Sequence, residues 1–247
     1  GVVSRPTVDE IFAYFNTINQ RVEKFINSHE LTAEENKLLT IGFHHECQHQ
    51  ELMVYDFQHL LAEAYKPVIQ NKIKSTSEVE RKSVLVNGGV YTMGYNGKKY
   101  CYDIELPEHK VYLNDYKIDV FPVTNGQYLE FMEDGGYGTY KYWLSDGWEK
   151  VKKNKWDAPM YWEKIEDTWH IRDFAGIHKI NPNEPVKHVS YYEADAYCKW
   201  AGKRLPTEAE WEKAACWSDT MQEKTIFPWG NSLPTEKNCN LLESYQW

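Results

Sequence analysis

The periodicity of the chain changes once, and that change limits the possible folds more than any other feature. Up to about Tyr65, apolar residues recur at helical spacing; beyond Lys82 they come in short runs cut by Asn, Gly and Pro. Thr7 and Glu10 form a capping box just after Pro6, which predicts a helix from about Val8 to Asn27. Its apolar side carries Ile11, Phe15, Ile18, Val22, Phe25 and Ile26. Thr32-Ala33-Glu34-Glu35 is a second box, opening a long helix expected to end near Tyr65, before Pro67. Two antiparallel helices leave apolar faces that a pair cannot close, so a bundle with further helices is implied.

The polar, aperiodic stretch 67–82 reads as a linker. Strand-like pieces follow at Ser83–Val86, Val90–Gly94, His109–Leu113 and Tyr116–Asp119, with a turn at Asn87-Gly88-Gly89. Thr124 and Gln127 cap a helix through about Glu133, stopped by Gly135-Gly136. Tyr137 to His188 is expected to be aromatic and loop-rich. Boxes at Ser190–Glu193 and Thr207–Glu210 open helices running to Gly202 and about Ala215. The expected class is α+β: a helical part at 1–66, a linker at 67–82, and a mixed α/β domain at 83–247 rich in loops.

Within the second helix, Gly42-Phe43-His44-His45-Glu46-Cys47-Gln48-His49-Gln50-Glu51-Leu52 concentrates ligand chemistry. At 3.6 residues per turn His45 and His49 fall about 40° apart, so both can hold one metal ion. Asp56 and His59 share their stripe, flanked by Gln48 and Leu52. Phe43, Met53, Val54, Phe57, Leu60 and Leu61 gather on the other side, which is expected to pack. Glu51 points about 240° from His45, badly placed to bind the same ion. Cys47, at about 200°, is expected to be a small buried residue. The same letters also spell H-E-x-x-H, the zinc-protease helix with Glu46 as general base. A metzincin would carry Gly at Leu52 and His at Tyr55, and neither is present.

A formal charge of −9 argues against nucleic acid or an anionic membrane as the main partner. Lys150–Lys155 then reads as a solvated loop. Five scattered cysteines without a C-x-x-C pair fit a reduced, cytoplasmic protein. No apolar run approaches a membrane span, and the first residues lack a signal-peptide pattern. Aromatic residues make up 15% of the chain, supplying cohesive surfaces for packing or pockets.

The stretch His45-Glu46-Cys47-Gln48-His49-Gln50-Glu51-Leu52 resembles the H-x-x-x-H-x-E signature of the sulfoxide synthases of ergothioneine and ovothiol biosynthesis. Their second domain has the formylglycine-generating-enzyme fold, related to C-type lectins. Asn87–Gly94, Phe121–Tyr128, Trp143–Trp148, His188–Ala196 and Trp200–Glu212 are similar to that domain. The resemblance implies a DinB-like helical bundle followed by the formylglycine-enzyme-like domain. It also implies Fe(II) bound by three histidines, two of them His45 and His49. The implied substrates are a cysteine-type thiol, a histidine derivative such as hercynine, and O₂. The implied reaction forms a carbon–sulfur bond at imidazole C2 and a sulfoxide, on an iron centre with open positions.

The resemblance further places Gln48 against substrate or its water. It makes Arg5 a candidate for gripping a substrate carboxylate, which a guanidinium suits bidentately. The family's third histidine is expected before Gly1. Its catalytic tyrosine, and the Asp and Arg that hold the thiol, are expected beyond Trp247; Tyr245 is not a substitute. Ergothioneine is the preferred branch, with ovothiol- and selenoneine-type synthases as alternatives. A zinc metalloprotease comes next, and then a non-catalytic C-type-lectin-like module. The lectin reading is weakened because Glu184-Pro185 is followed by Val186 rather than Asn.

Overall fold

The structure, a computed structural model, describes residues 5–60, 80–97, 100–173, 176–218 and 220–241. It divides into two compact units, Gly1–Asp56 with Lys98–Tyr100, and Phe57–Gly97 with Cys101–Trp247. Most of the expected linker, and Tyr245, lie outside the described residues.

Two helices dominate the first unit. Helix α1 spans Val8–Ser28, and both halves of its capping box form: Glu10 N–H donates to Thr7 Oγ1, and the Glu10 carboxylate accepts from Thr7 N–H. Those bonds hold the Glu10 carboxyl below the usual carboxylate range. Helix α2 spans Ala33–Leu60, and Thr32 and Glu35 make the equivalent bonds. Neither helix has a buried residue. The face expected to pack is open: Phe43 is 67% exposed, and Met53, Phe57 and Leu60 are also exposed. Val54 is half-buried. Two helices have only one mutual seam, so their remaining apolar faces find no packing partner among the described residues. Cys47 is likewise exposed, correcting the expectation that it is buried.

Helix α2 is described as far as Leu60, and its expected end near Tyr65 lies outside the described residues; in the second unit, strands β1 (Ser83–Val86), β2 (Gly89–Met93), β3 (His109–Leu113) and β4 (Tyr116–Asp119) follow. Asn87–Gly89 does not close a hairpin between the strands it joins. Instead β1 pairs antiparallel with β4, with Val84 opposite Ile118, and β2 pairs with β3, with Tyr91 opposite Val111. The reason lies across the sheet: Gly88 N–H donates to Asp115 Oδ1 at 2.7 Å, and a Cβ at Gly88 would meet the Leu113 carbonyl at 2.4 Å. That approach requires glycine.

Helix α3 (Asn125–Glu133) starts at the Thr124–Gln127 box, and Gly135 ends it in the left-handed region at φ 76°. Helix α4 covers Ser145–Asn154 and buries Gly147 and Val151. The lysine run expected to be a loop is therefore mostly helix. Val151 supplies the inward anchor, and only Lys155 lies past the end, left-handed at φ 54°. The region expected to be loop-rich also holds a three-stranded antiparallel sheet of β5 (Trp162–Ile165), β6 (Thr168–Asp173) and β7 (Gly176–Lys179). Helices α5 (Tyr191–Trp200) and α6 (Glu208–Cys216) begin at complete capping boxes, and the short pair β8 (Trp217–Ser218) and β9 (Glu223–Lys224) follows.

The largest core cluster joins α3, α4 and α5 around Tyr128, Phe131, Tyr137, Trp143, Ala196 and Tyr197. Its polar atoms are satisfied internally: Tyr137 Oη–H donates to Glu193 Oε1 at 2.5 Å and lies 3.2 Å from the Tyr128 hydroxyl. Burial pushes both phenols well above their ordinary range. A second cluster sets Tyr91, Leu113 and Tyr116 against Ala209 of α6, and a third lies on the three-stranded sheet around Trp162 and Ile171. All five cysteines are free thiols.

Candidate metal centre on the histidine helix

His45 and His49 are exposed and meet through the same ring atom, Nε2 to Nε2 at 3.2 Å. Their rings stand edge to face, 4.4 Å between centroids. Two neutral imidazoles in this pose need a proton or a cation between the facing nitrogens, since two lone pairs would repel. Nitrogens bound about 2.1 Å from one ion at adjacent coordination positions stand about 3.0–3.4 Å apart, by the usual metal–imidazole bond length. The observed separation fits that spacing, so the pair suits two neighbouring positions of a single ion. Among the described residues no group of three or more His, Cys, Asp or Glu could hold a metal.

Helical spacing brings the pair together, and the other expected site residues do not join it. Gln48 is exposed on the same turn, and its side-chain amide makes no hydrogen bond to a described residue. Arg5 is exposed just before Pro6 and the α1 cap, again without an ion pair among the described residues. Glu46 and Glu51 are exposed. One neighbour was not foreseen: the Tyr100 ring stacks on His44, centroids 4.3 Å apart and planes within 7°. His44 is adjacent to a ligand candidate in sequence, but nothing in the sequence pairs it with a residue more than fifty positions away.

Three groups in the second unit surround Tyr161. His59 Nδ1 lies 3.0 Å from the Tyr161 hydroxyl, the His188 ring stands edge-on at 4.8 Å, and the Arg172 guanidinium sits 5.8 Å from the ring centre. Tyr161 and His188 are both left-handed, at φ 69° and 62°. The sequence placed His59 on the histidine stripe but gave no sign of its tyrosine partner.

Comparison with known proteins identifies the second unit's lineage. Residues 70–247 match the sulfatase-modifying factor enzyme 1-like domain. The chain belongs to that family. Relatives include the hercynine oxygenase of Mycolicibacterium smegmatis, 37% identical over 202 residues, which are 80% of this chain and 46% of that protein. The hercynine oxygenase of Mycobacterium tuberculosis is 41% identical over 139 residues, covering 56% of this chain and 32% of the relative. The formylglycine-generating enzyme of Bos taurus is 34% identical over 166 residues, 62% of this chain and 43% of the enzyme. The chain thus spans less than half the length of these relatives.

The expected motifs fall on defined elements of the second unit. Phe121–Tyr128 leads into α3, His188–Ala196 runs into α5, and Trp200–Glu212 connects α5 to α6. The last includes the Arg204–Glu210 pair, bidentate at 2.7 and 2.6 Å. The Arg204 guanidinium holds the Glu210 carboxyl down at about 2. No helix among the described residues is long and apolar enough to cross a membrane.

Proposed function

We propose that the protein is an iron(II)- and O₂-dependent sulfoxide synthase that joins a cysteine-type thiol, γ-glutamylcysteine or cysteine, to C2 of hercynine in ergothioneine biosynthesis. The observation that carries this reading is the His45–His49 pair, spaced at 3.2 Å for one ion, in a chain 37% and 41% identical to two hercynine oxygenases. The helical part is read as DinB-like, and the protein as cytoplasmic. The family match and these relatives favour the synthase over the H-E-x-x-H protease. Ovothiol- and selenoneine-type synthases are the nearest alternatives and differ in the substrates accepted.

The chain's own residues have limited, definite tasks. His45 and His49 would hold the ion through Nε2, which requires both rings neutral and their Nδ1 atoms protonated. Iron bound there supplies open positions that accept a thiolate and activate O₂. Gln48, one residue before His49, offers an amide that can both donate to and accept from substrate or its water. Arg5 offers a bidentate donor for a carboxylate. The balance closes with O₂ as a four-electron oxidant: the S–H and C2–H bonds are lost, C–S and S–O bonds form, and the second oxygen atom leaves as water.

The test is O₂ uptake by the full natural protein supplied with Fe(II), hercynine and each thiol, with product mass as readout. A sulfoxide adduct is expected, and His45→Ala or His49→Ala should abolish it while weakening Fe(II) binding at least ~100-fold, since each removes a ligand outright. Absence of both substrate-dependent uptake and a sulfoxide would overturn the proposal.

A further inference from the structure

We propose that the second unit carries a separate binding site for a small carboxylate with an apolar body, in a cavity whose charge is supplied by Lys213. The cavity has a volume of about 390 Å³, within the range of small-molecule sites, and its lining includes Asn87, Val90, Tyr91, Lys213 and Trp217. All of these residues belong to the second unit. Lys213 reaches the cavity from α6, whose buried residues are Ala209, Glu210 and Lys213. Ala209 and Lys213 are four apart, so they share one inward stripe of the helix. There the lysine is only 6% exposed, a degree of burial that lysine almost never reaches unless it is paired.

Its partners are carbonyls. Lys213 Nζ donates to the Asn87 carbonyl at 2.5 Å and to the Gly88 carbonyl at 3.1 Å. An ammonium has three donors, so these two bonds leave one N–H for a further acceptor. Carbonyl dipoles do not cancel a charge, and a buried charge ordinarily has a counter-charge. Among the described residues no carboxylate forms an ion pair with Lys213. The acids around it are committed to other donors: Glu210 to Arg204, Glu212 to Lys224 and the Tyr91 hydroxyl, and Asp115 to Gly88 N–H. The rest of the lining selects the anion. Asn87 is exposed, and its side-chain amide makes no hydrogen bond to a described residue, so its NH₂ can serve the second oxygen of a carboxylate. One ammonium and one amide match a carboxylate, whereas a phosphate brings more charge and more acceptors than they can serve. Val90, Tyr91 and Trp217 are the apolar residues of the lining, and they receive the body of the ligand.

The probe is 4-fluorobenzoate, with neutral 4-fluorobenzamide as its control, each followed by fluorine line broadening on the full natural protein without added iron. The carboxylate should bind about tenfold more tightly than the amide, the factor for one hydrogen bond to a charged group. Lys213→Met keeps most of the stem and removes the charge, and should weaken the carboxylate about tenfold. Asn87→Asp decides the matter even if the lysine variant fails to fold. It changes an exposed side chain, leaves the main-chain carbonyl that Lys213 holds, and sets a carboxylate beside the ammonium in place of the ligand. It should weaken 4-fluorobenzoate about tenfold while leaving the amide unchanged. Equal binding of the two probes, unchanged carboxylate affinity in Asn87→Asp, or no broadening at about 10 mM probe each overturns the site. None of these readouts needs iron or turnover, so the site and the synthase reading stand or fall separately.

Discussion

The α1–α2 hairpin and the α3–α5 core are built from similarly apolar sequence and end in opposite states. Ile11, Phe12, Phe15 and Leu38 all stay exposed in the hairpin, whereas Phe131 in α3 is wholly buried, with Tyr128 and Ala196 beside it. Phe131 touches the rings of Tyr128, Tyr137, Tyr142, Tyr197 and Trp200. A Cβ on Gly136 would strike its ring at 2.2 Å. Apolar content is therefore a poor guide to which part of this chain holds itself together; closure on a third element decides it. The second unit carries the stability, and the hairpin carries the ligand-like histidines.

That contrast can be broken by substitution. Phe131→Ala should cost about 3–5 kcal/mol in denaturant unfolding of the second unit, because both transfer free energy and a cavity are lost. A loss below about 1 kcal/mol would mean that the aromatic cluster is not a close-packed core. Arg204→Gln should cost less, about 1–2 kcal/mol at neutral pH, since the guanidinium is largely solvated and its bonds to Glu210 are screened. The sign with pH is definite. Glu210 is held near 2 in the folded protein against 4.5 ordinarily, so its contribution is complete above pH 4.5 and drains away as pH falls toward 2. The wild-type and Arg204→Gln stability curves should converge over that window; parallel curves would remove the pair from the account. Phe43→Ala, on the open face of α2, should change stability by no more than about 0.5 kcal/mol. A larger cost would show that this face is covered in solution.

What could be read from the sequence divides by range. Every capping box formed, at Thr7, Thr32, Thr124, Ser190 and Thr207, because donor and acceptor lie three residues apart and need nothing else. The 3.2 Å approach of His45 and His49 is local in the same sense. The partner of β1 was not legible: Asn87–Gly89 resembles a hairpin turn, yet its geometry is set by Asp115 and Leu113 from a later segment. Nor was α4, whose lysines suggest solvent while the single inward Val151 decides the helix. Tyr161 and Tyr100 escaped for the same reason, since each meets its histidine across a long sequence separation.

The exposure of Cys47 gives the histidine helix a natural attachment point. The thiols of Cys198 and Cys216 are pushed up by burial and react slowly as neutral S–H, so a maleimide dye should reach Cys47 before them. The label would sit two residues from His45 and two from His49, on a different side of the helix. A paramagnetic ion held by those rings would then dim a dye on Cys47, turning metal occupancy of the pair into an optical signal that needs neither substrate nor oxygen.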